Sequence, residues 1–249
     1  MNGVVALMKR HVRTTGESEK NGMNPWLDIA IVTIFCAIVL TAAVGIVDRA
    51  QPASVTPAEP LILIDPGHGG ADGGAVAPDG TQEKDLNLAI SLPLADMLRV
   101  MGYQVSLTRT TDEMVGGVGS TMRERKVNDI KNRLAQAEQA TVTVSIHQNK
   151  FTQSQYYGTQ IFYSGNHEDS RLLASAVRES VLSLLQPENT RELKKGDSSI
   201  YLLYKVTRPA VLVECGFLSN EAELQKLKDT EYQRKMAFAV MGGVLQYGP

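Results

Sequence analysis

The chain has 249 residues, a formal net charge of −2 and two cysteines. That length holds one medium domain and an appendage rather than two full domains. The balanced charge argues against a nucleic-acid partner, which would bring a basic surface, and two cysteines exclude a disulfide framework.

The first feature in chain order is the apolar run WLDIAIVTIFCAIVLTAAVGIV, residues 26–47. It matches the roughly 20 residues that a helix needs to cross a bilayer. Lys9, Arg10, Arg13 and Lys20 precede it, and only Asp48 and Arg49 follow closely. This bias predicts a cytoplasmic tail over residues 1–25, a single-pass anchor over 26–47 and an extracytoplasmic remainder. A cleaved signal peptide is the rival reading. The run is longer than a usual signal core and no clean small-x-small site follows it, which favours an uncleaved anchor in the cell membrane. Residues 48–60, with prolines at 52, 57 and 60, read as a short stiff linker.

From Leu61 the composition becomes globular. Leu61–Ile64 is a continuous apolar run, as in a strand buried on both faces. Leu86, Ile90, Leu94, Met97 and Met101 recur at helical spacing, with Pro93 expected to kink the helix. A strand follows at Val105–Leu107, then a helix carrying Val127, Ile130, Leu134 and Ala137. Further strands are expected at residues 141–146, 159–163 and 211–213, a helix over 172–185, and closing helices over 221–247. This alternation predicts an α/β fold, a mixed and mainly parallel sheet flanked by helices, in one domain over residues 61–249.

Three of the strands end in polar residues: LILIDPGHGG, VTVSIHQN and AVLVECGF. Open α/β sheets bind ligands at the carboxyl ends of their strands, so His68, His147 and Glu214 fall where such a fold collects its site. His68 sits in a glycine-rich turn that permits close approach to an ion or substrate. Glu83 opens the helix of Leu86, a position that the helix dipole alone would favour. Two imidazoles and one carboxylate form a ligand set of catalytic zinc, and His68, Glu83 and His147 are the candidates. Glu214 is the candidate for proton transfer, because burial behind Val211–Val213 would raise its pKa; an ion pair with Arg208 is its ordinary alternative. Asp65 and Asn149 are candidates to orient the two histidines. His167 reads as a surface turn residue, and Cys215 should face away from its neighbour Glu214.

These residues also resemble a known family. IDPGHGG, the glutamate of QEKDLNL, SIHQN and LVECGFLSN are similar, in order, to the motifs of the zinc-dependent N-acetylmuramoyl-L-alanine amidases. The resemblance covers Leu61 to the C-terminus. RERKVNDIKNRL, GTQIFY and IYLLYKVTRPAVLVECGFLSN are most similar to its spore-cortex, germination-type branch. It implies one zinc ion held by His68, Glu83 and His147, with Glu214 as catalytic acid/base. It also implies hydrolysis of the amide between N-acetylmuramic acid and L-alanine of peptidoglycan. In that branch the activity cooperates with a muramic-acid deacetylase to form muramic-δ-lactam. Gln148, Cys215 and Pro93 depart from the pattern without touching a proposed ligand. Arg191, Lys194 and Lys195 lie in a polar loop that reads first as solvated, with contact to stem-peptide carboxylates as the alternative. Nothing between His147 and Glu214 has room for a long autoinhibitory insertion, so regulation would come from a partner such as an activating lipoprotein. The alternatives are a vegetative autolysin, a zinc peptidase of wall peptides and a non-catalytic wall-binding scaffold.

Overall fold

The computed structural model describes residues 60–249, together with positions 26, 29–30 and 32–37, which are helical. The expected anchor over 26–47 therefore falls largely outside the described residues, as do the tail over 1–25 and nearly all of the linker. Among the described residues no helix is long and apolar enough to cross a membrane.

The folded unit runs through β1 (Leu61–Pro66), α1 (Glu83–Val100), β2 (Gln104–Leu107), α2 (Met122–Ala137), β3 (Val142–Asn149) and β4 (Gln160–Tyr163). It continues through α3 (Asp169–Leu184), β5 (Lys194–Lys195), α4 (Tyr201–Lys205), β6 (Ala210–Phe217), α5 (Glu221–Lys228) and α6 (Thr230–Tyr247). The strands form one sheet in the order β2-β1-β3-β6-β4-β5. All neighbouring pairs are parallel except β4 with β6. The fold is thus the expected mixed, mainly parallel sheet. The two-residue β5 and the five-residue α4 are additions that no periodicity announces. Helix α1 runs as one element with Pro93 inside it.

The two sheet faces differ in composition, and that difference positions the site. One face presents Ile62, Ile64, Val142, Val144, Ile146, Val211, Val213 and Cys215, all buried against α1, α3, α5 and α6. Each fully buried aliphatic side chain contributes about 1.5–3 kcal/mol relative to exposure. Among the described residues the other face is covered by α2 and α4, through a smaller cluster of Leu63, Ala137, Leu202, Leu203, Ala210 and Leu212. Along this thinner side the strands change character toward their carboxyl ends. Asp65 pairs in register with Ser145, and His147 with Glu214. Side chains alternate along a strand, so these four polar groups share the thin face.

Asp65 is buried (1% exposed) and paired with Arg133 of α2, itself 2% exposed. Ser145 Oγ and Thr108 Oγ1 donate to Asp65 at 2.6 and 2.7 Å. Burial alone would raise the Asp65 pKa, but Arg133 and the two hydroxyls outweigh it and hold the carboxyl down at about 2. Arg133 Nε also donates to Asp129 Oδ2 at 2.7 Å. Removing one partner of a buried pair leaves an uncompensated charge, at about 3–5 kcal/mol. Domains of this kind are stable by only about 5–15 kcal/mol. Arg133→Met is therefore expected to lower the unfolding free energy by about 3–5 kcal/mol in urea melts followed by circular dichroism. A loss below about 1 kcal/mol would show that the network does not hold the sheet to α2.

Candidate metal centre and catalytic cleft

His68 follows β1 in a turn whose backbone is held by two arginines. Arg109 donates from Nε to the Pro66 carbonyl and from Nη2 to the Gly67 carbonyl, each at 3.0 Å. Arg133 donates to the Pro66 carbonyl at 2.7 Å and to the His68 carbonyl at 2.6 Å. Three consecutive carbonyls are thus fixed, and His68 adopts φ 60°, a left-handed conformation unusual for a residue with a side chain. Gly67 has no alternative here: a Cβ would stand 2.2 Å from His147 Cε1. Gly74 is equally constrained, with φ +68° and a notional Cβ 2.5 Å from Glu83 Oε2.

Glu83 is the first residue of α1 and is 4% exposed. Its Oε1 lies 2.9 Å from His147 Nδ1 and accepts from the Gln148 amide at 3.1 Å. Its Oε2 accepts from the Ala75 amide at 2.8 Å and lies 3.3 Å from His68 Nε2. Burial would raise the Glu83 pKa, but the two histidines override it and keep the carboxylate ionised far below its usual range. The imidazole centroids are 5.0 Å apart at 75°. His68, Glu83 and His147 offer one donor atom each within 4.8 Å of one another. The structure thus brings together all three residues expected as metal ligands.

Glu214 stands beside His147 on the neighbouring strand. Its Oε2 is buried and has no hydrogen-bond partner. Burial pushes its pKa up to about 7; His147 and His68 oppose this and the Glu83 carboxylate adds to it. No ion pair joins it to Arg208 among the described residues. The carboxyl therefore holds or releases a proton near neutrality. It lines a cleft of about 420 Å³ together with His68, His147, Lys126, Ile130 and Tyr201.

Several secondary expectations need correction. Asp65 does not orient His68, because Arg133, Ser145 and Thr108 occupy it. The group at His68 Nδ1 is Asp72, at 3.0 Å. His147 is oriented by Glu83 rather than Asn149, whose carbonyl accepts from the Leu218 amide. Arg191, Lys194 and Lys195 do not line the cleft. Arg191 instead lies over the Phe217 ring, 4.4 Å from its centroid. Cys215 packs in the opposite core face, and His167 precedes α3 at the surface, both as expected. Sequence reasoning missed Asp72, Lys126 and Arg133. Arg133 carried a signal: it interrupts the apolar stripe of Ile130, Leu134 and Ala137.

The donor chemistry fits a metal of the zinc type. Both nitrogens of His68 face carboxylates, Asp72 and Glu83. Burial would lower the ring's pKa, but these partners raise it to about 9. A buried pocket that concentrates negative charge on one imidazole is one that a divalent cation would neutralise. Two imidazoles, one carboxylate and an open side are what catalytic zinc takes. With a proton-exchanging carboxyl beside it, the cleft has the make-up of a hydrolase.

Comparison with known proteins agrees. Residues 62–246 match the family described as N-acetylmuramoyl-L-alanine amidase, Amidase_3. The germination-specific N-acetylmuramoyl-L-alanine amidase of Bacillus subtilis is 34% identical over 203 residues, covering 80% of this chain and 84% of that protein. Among solved structures, the CwlD amidase of Clostridioides difficile, determined in complex with the GerS lipoprotein, is 41% identical. It superposes with a TM-score of 0.72 over 76% of this chain and 98% of that one. An N-acetylmuramoyl-L-alanine amidase from Clostridium difficile 630 is 32% identical, with a TM-score of 0.66 over 76% and 96% of the two chains. The chain belongs to the N-acetylmuramoyl-L-alanine amidase family, and its activity is that of a peptidoglycan amidase.

The close packing at Gly67 yields a test. Gly67→Ala is expected to push the His147 ring aside and lower amidase activity about 100-fold, the scale of a 1 Å misplacement at a reacting centre. Far-UV circular dichroism should stay unchanged. Near-normal activity would mean that the His147 position is not critical.

Proposed function

We propose that His68, Glu83 and His147 hold one zinc ion and that Glu214 is the proton-transfer group of an amidase maturing the spore cortex. The observation that carries the site assignment is the buried Glu214 carboxyl, with an unpartnered Oε2, on a residue that lines the cleft beside His147. Bound at the three donors, zinc supplies Lewis-acid polarisation of an amide carbonyl and acidifies water toward neutral pH.

The chain's own residues do the rest. Glu214 as carboxylate takes a proton from the attacking water as its oxygen bonds to the lactyl carbonyl carbon. The Glu214 carboxyl then gives that proton to the amine of L-alanine as the C–N bond breaks, leaving a free carboxylate on muramic acid and a free stem peptide. Its pKa near 7 suits both directions, because a group matched to the working pH serves as base and then acid. Lys126, Ile130 and Tyr201 also wall the cleft and give it a mixed charged and apolar lining.

The spore-cortex assignment rests on the similarity to the germination-specific relative and to the CwlD amidase. That amidase was solved with a lipoprotein, which supports an activating lipoprotein as a partner here. A muramic-acid deacetylase would act on the product to form the lactam. The apolar run over residues 26–47 and the basic residues before it support a membrane anchor with the amidase outside the cytoplasm.

The zinc-loaded protein incubated with purified peptidoglycan is expected to release intact stem peptides beginning with L-alanine, read by mass spectrometry, and to stop when chelated. Glu214→Gln should lower the rate about 10²–10⁴-fold, the usual worth of general acid–base catalysis. The wild-type rate should fall on acidification, because the base form of Glu214 is lost there; the variant should lack this limb. Shortened peptides instead of intact ones would indicate a peptidase. Equal turnover of cortex and vegetative wall, with and without a lipoprotein partner, would count against the cortex role.

A further inference from the structure

Asp72 takes no part in the proton transfers above, yet its carboxylate is tightly committed. Oδ2 lies 3.0 Å from His68 Nδ1. Oδ1 pairs with Lys126 Nζ at 2.7 Å and accepts from the Gly74 amide at 3.3 Å. The Asp72 backbone is pinned too, exchanging hydrogen bonds of 2.9 and 3.0 Å with Gly69. The side chain is 14% exposed. A turn staple would need only Oδ1, which already serves Gly74 and Lys126; Oδ2 is reserved for the imidazole.

An ionised carboxylate has no proton to give, so His68 Nδ1 must donate. Nε2 instead faces the proposed co-ligand Glu83 Oε2 at 3.3 Å, within the cluster shared with His147, so it is the nitrogen an ion would take, displacing its proton while Nδ1–H stays on Asp72. Ligating histidines are commonly fixed in this way through their second nitrogen, and losing the fixing group weakens metal binding about 10–100-fold. We propose that Asp72 is the positioning residue of the metal centre: it holds His68 in the Nδ1–H tautomer and presents Nε2 to the ion shared with Glu83 and His147. This rests on the metal reading given above. Lys126 makes a secondary contribution, because it anchors Asp72 from α2 and lines the cleft beside it.

The test uses the full-length chain as wild type, Asp72→Ala and Asp72→Asn. Zinc affinity is measured by competition with a chromophoric chelator, and the histidines of the zinc-loaded protein are observed by nitrogen-15 NMR. Asp72→Ala is expected to bind zinc about 10–100-fold more weakly while the far-UV circular dichroism of the metal-free chain stays that of a folded protein. Asp72→Asn, whose amide oxygen still accepts from Nδ1, should recover part of the loss. In the wild type, His68 should show a protonated Nδ1 and a metal-shifted Nε2. Coordination through Nδ1, or an Asp72→Ala chain that binds zinc as tightly as wild type, would overturn the role of Asp72 and leave the metal centre standing. A wild-type chain that binds no zinc would overturn both.

Discussion

The site depends on three consecutive carbonyls, those of Pro66, Gly67 and His68, held by two buried guanidinium groups. Arg109 and Arg133 approach the turn from different elements and converge on the Pro66 oxygen. Charge-assisted hydrogen bonds are roughly twice as strong as neutral ones, and here they hold His68 at a positive φ that its side chain would otherwise avoid. The same Arg133 compensates Asp65 and Asp129, so the network that fastens α2 to the sheet also sets the backbone of a metal-type donor. Stability and site geometry therefore share one side chain.

A second constraint is the inequality of the two sheet faces. The apolar face is sealed by four helices and carries most of the hydrophobic stabilisation. Among the described residues the other is sealed near the amino ends of its strands, by α2 and α4. Toward the carboxyl ends the alternation brings Asp65, Ser145, His147 and Glu214 onto that thinner side in register. Buried polar groups of this kind are costly unless paired. Asp65 pairs with Ser145 and with Arg133, and His147 pairs with Glu83. Glu214 is left with an unpaired oxygen, and its pKa near neutrality is the direct consequence of that isolation. The desolvation that would destabilise a purely structural carboxylate is what fits this one to exchange protons.

Much of this was legible in the sequence. Uninterrupted apolar runs at Leu61–Ile64 and residues 211–213 marked strands buried on both sides, and polar residues closing those runs marked the site, because ligand groups gather at strand ends in such sheets. His68, His147 and Glu214 followed from that reading, while Glu83, at a helix start, entered through the zinc ligand set and the motif resemblance. The groups that orient them were not legible, since their partners lie far apart in sequence. Asp65 was a reasonable guess for His68, but contact is decided by which side of the turn the imidazole leaves, and the positive φ turns it to Asp72. Arg133 sits 65 positions from His68, a separation that local pattern cannot bridge, although a charge within an apolar helical stripe was a visible anomaly. Short elements such as β5 and α4 escape periodicity altogether.

The most direct test of the account is anomalous diffraction at the zinc edge from crystals of the zinc-soaked protein. One anomalous peak shared by His68, Glu83 and His147, beside Glu214, is predicted. No peak, or a peak held by other residues, would contradict the central claim that these strand ends build a metal centre.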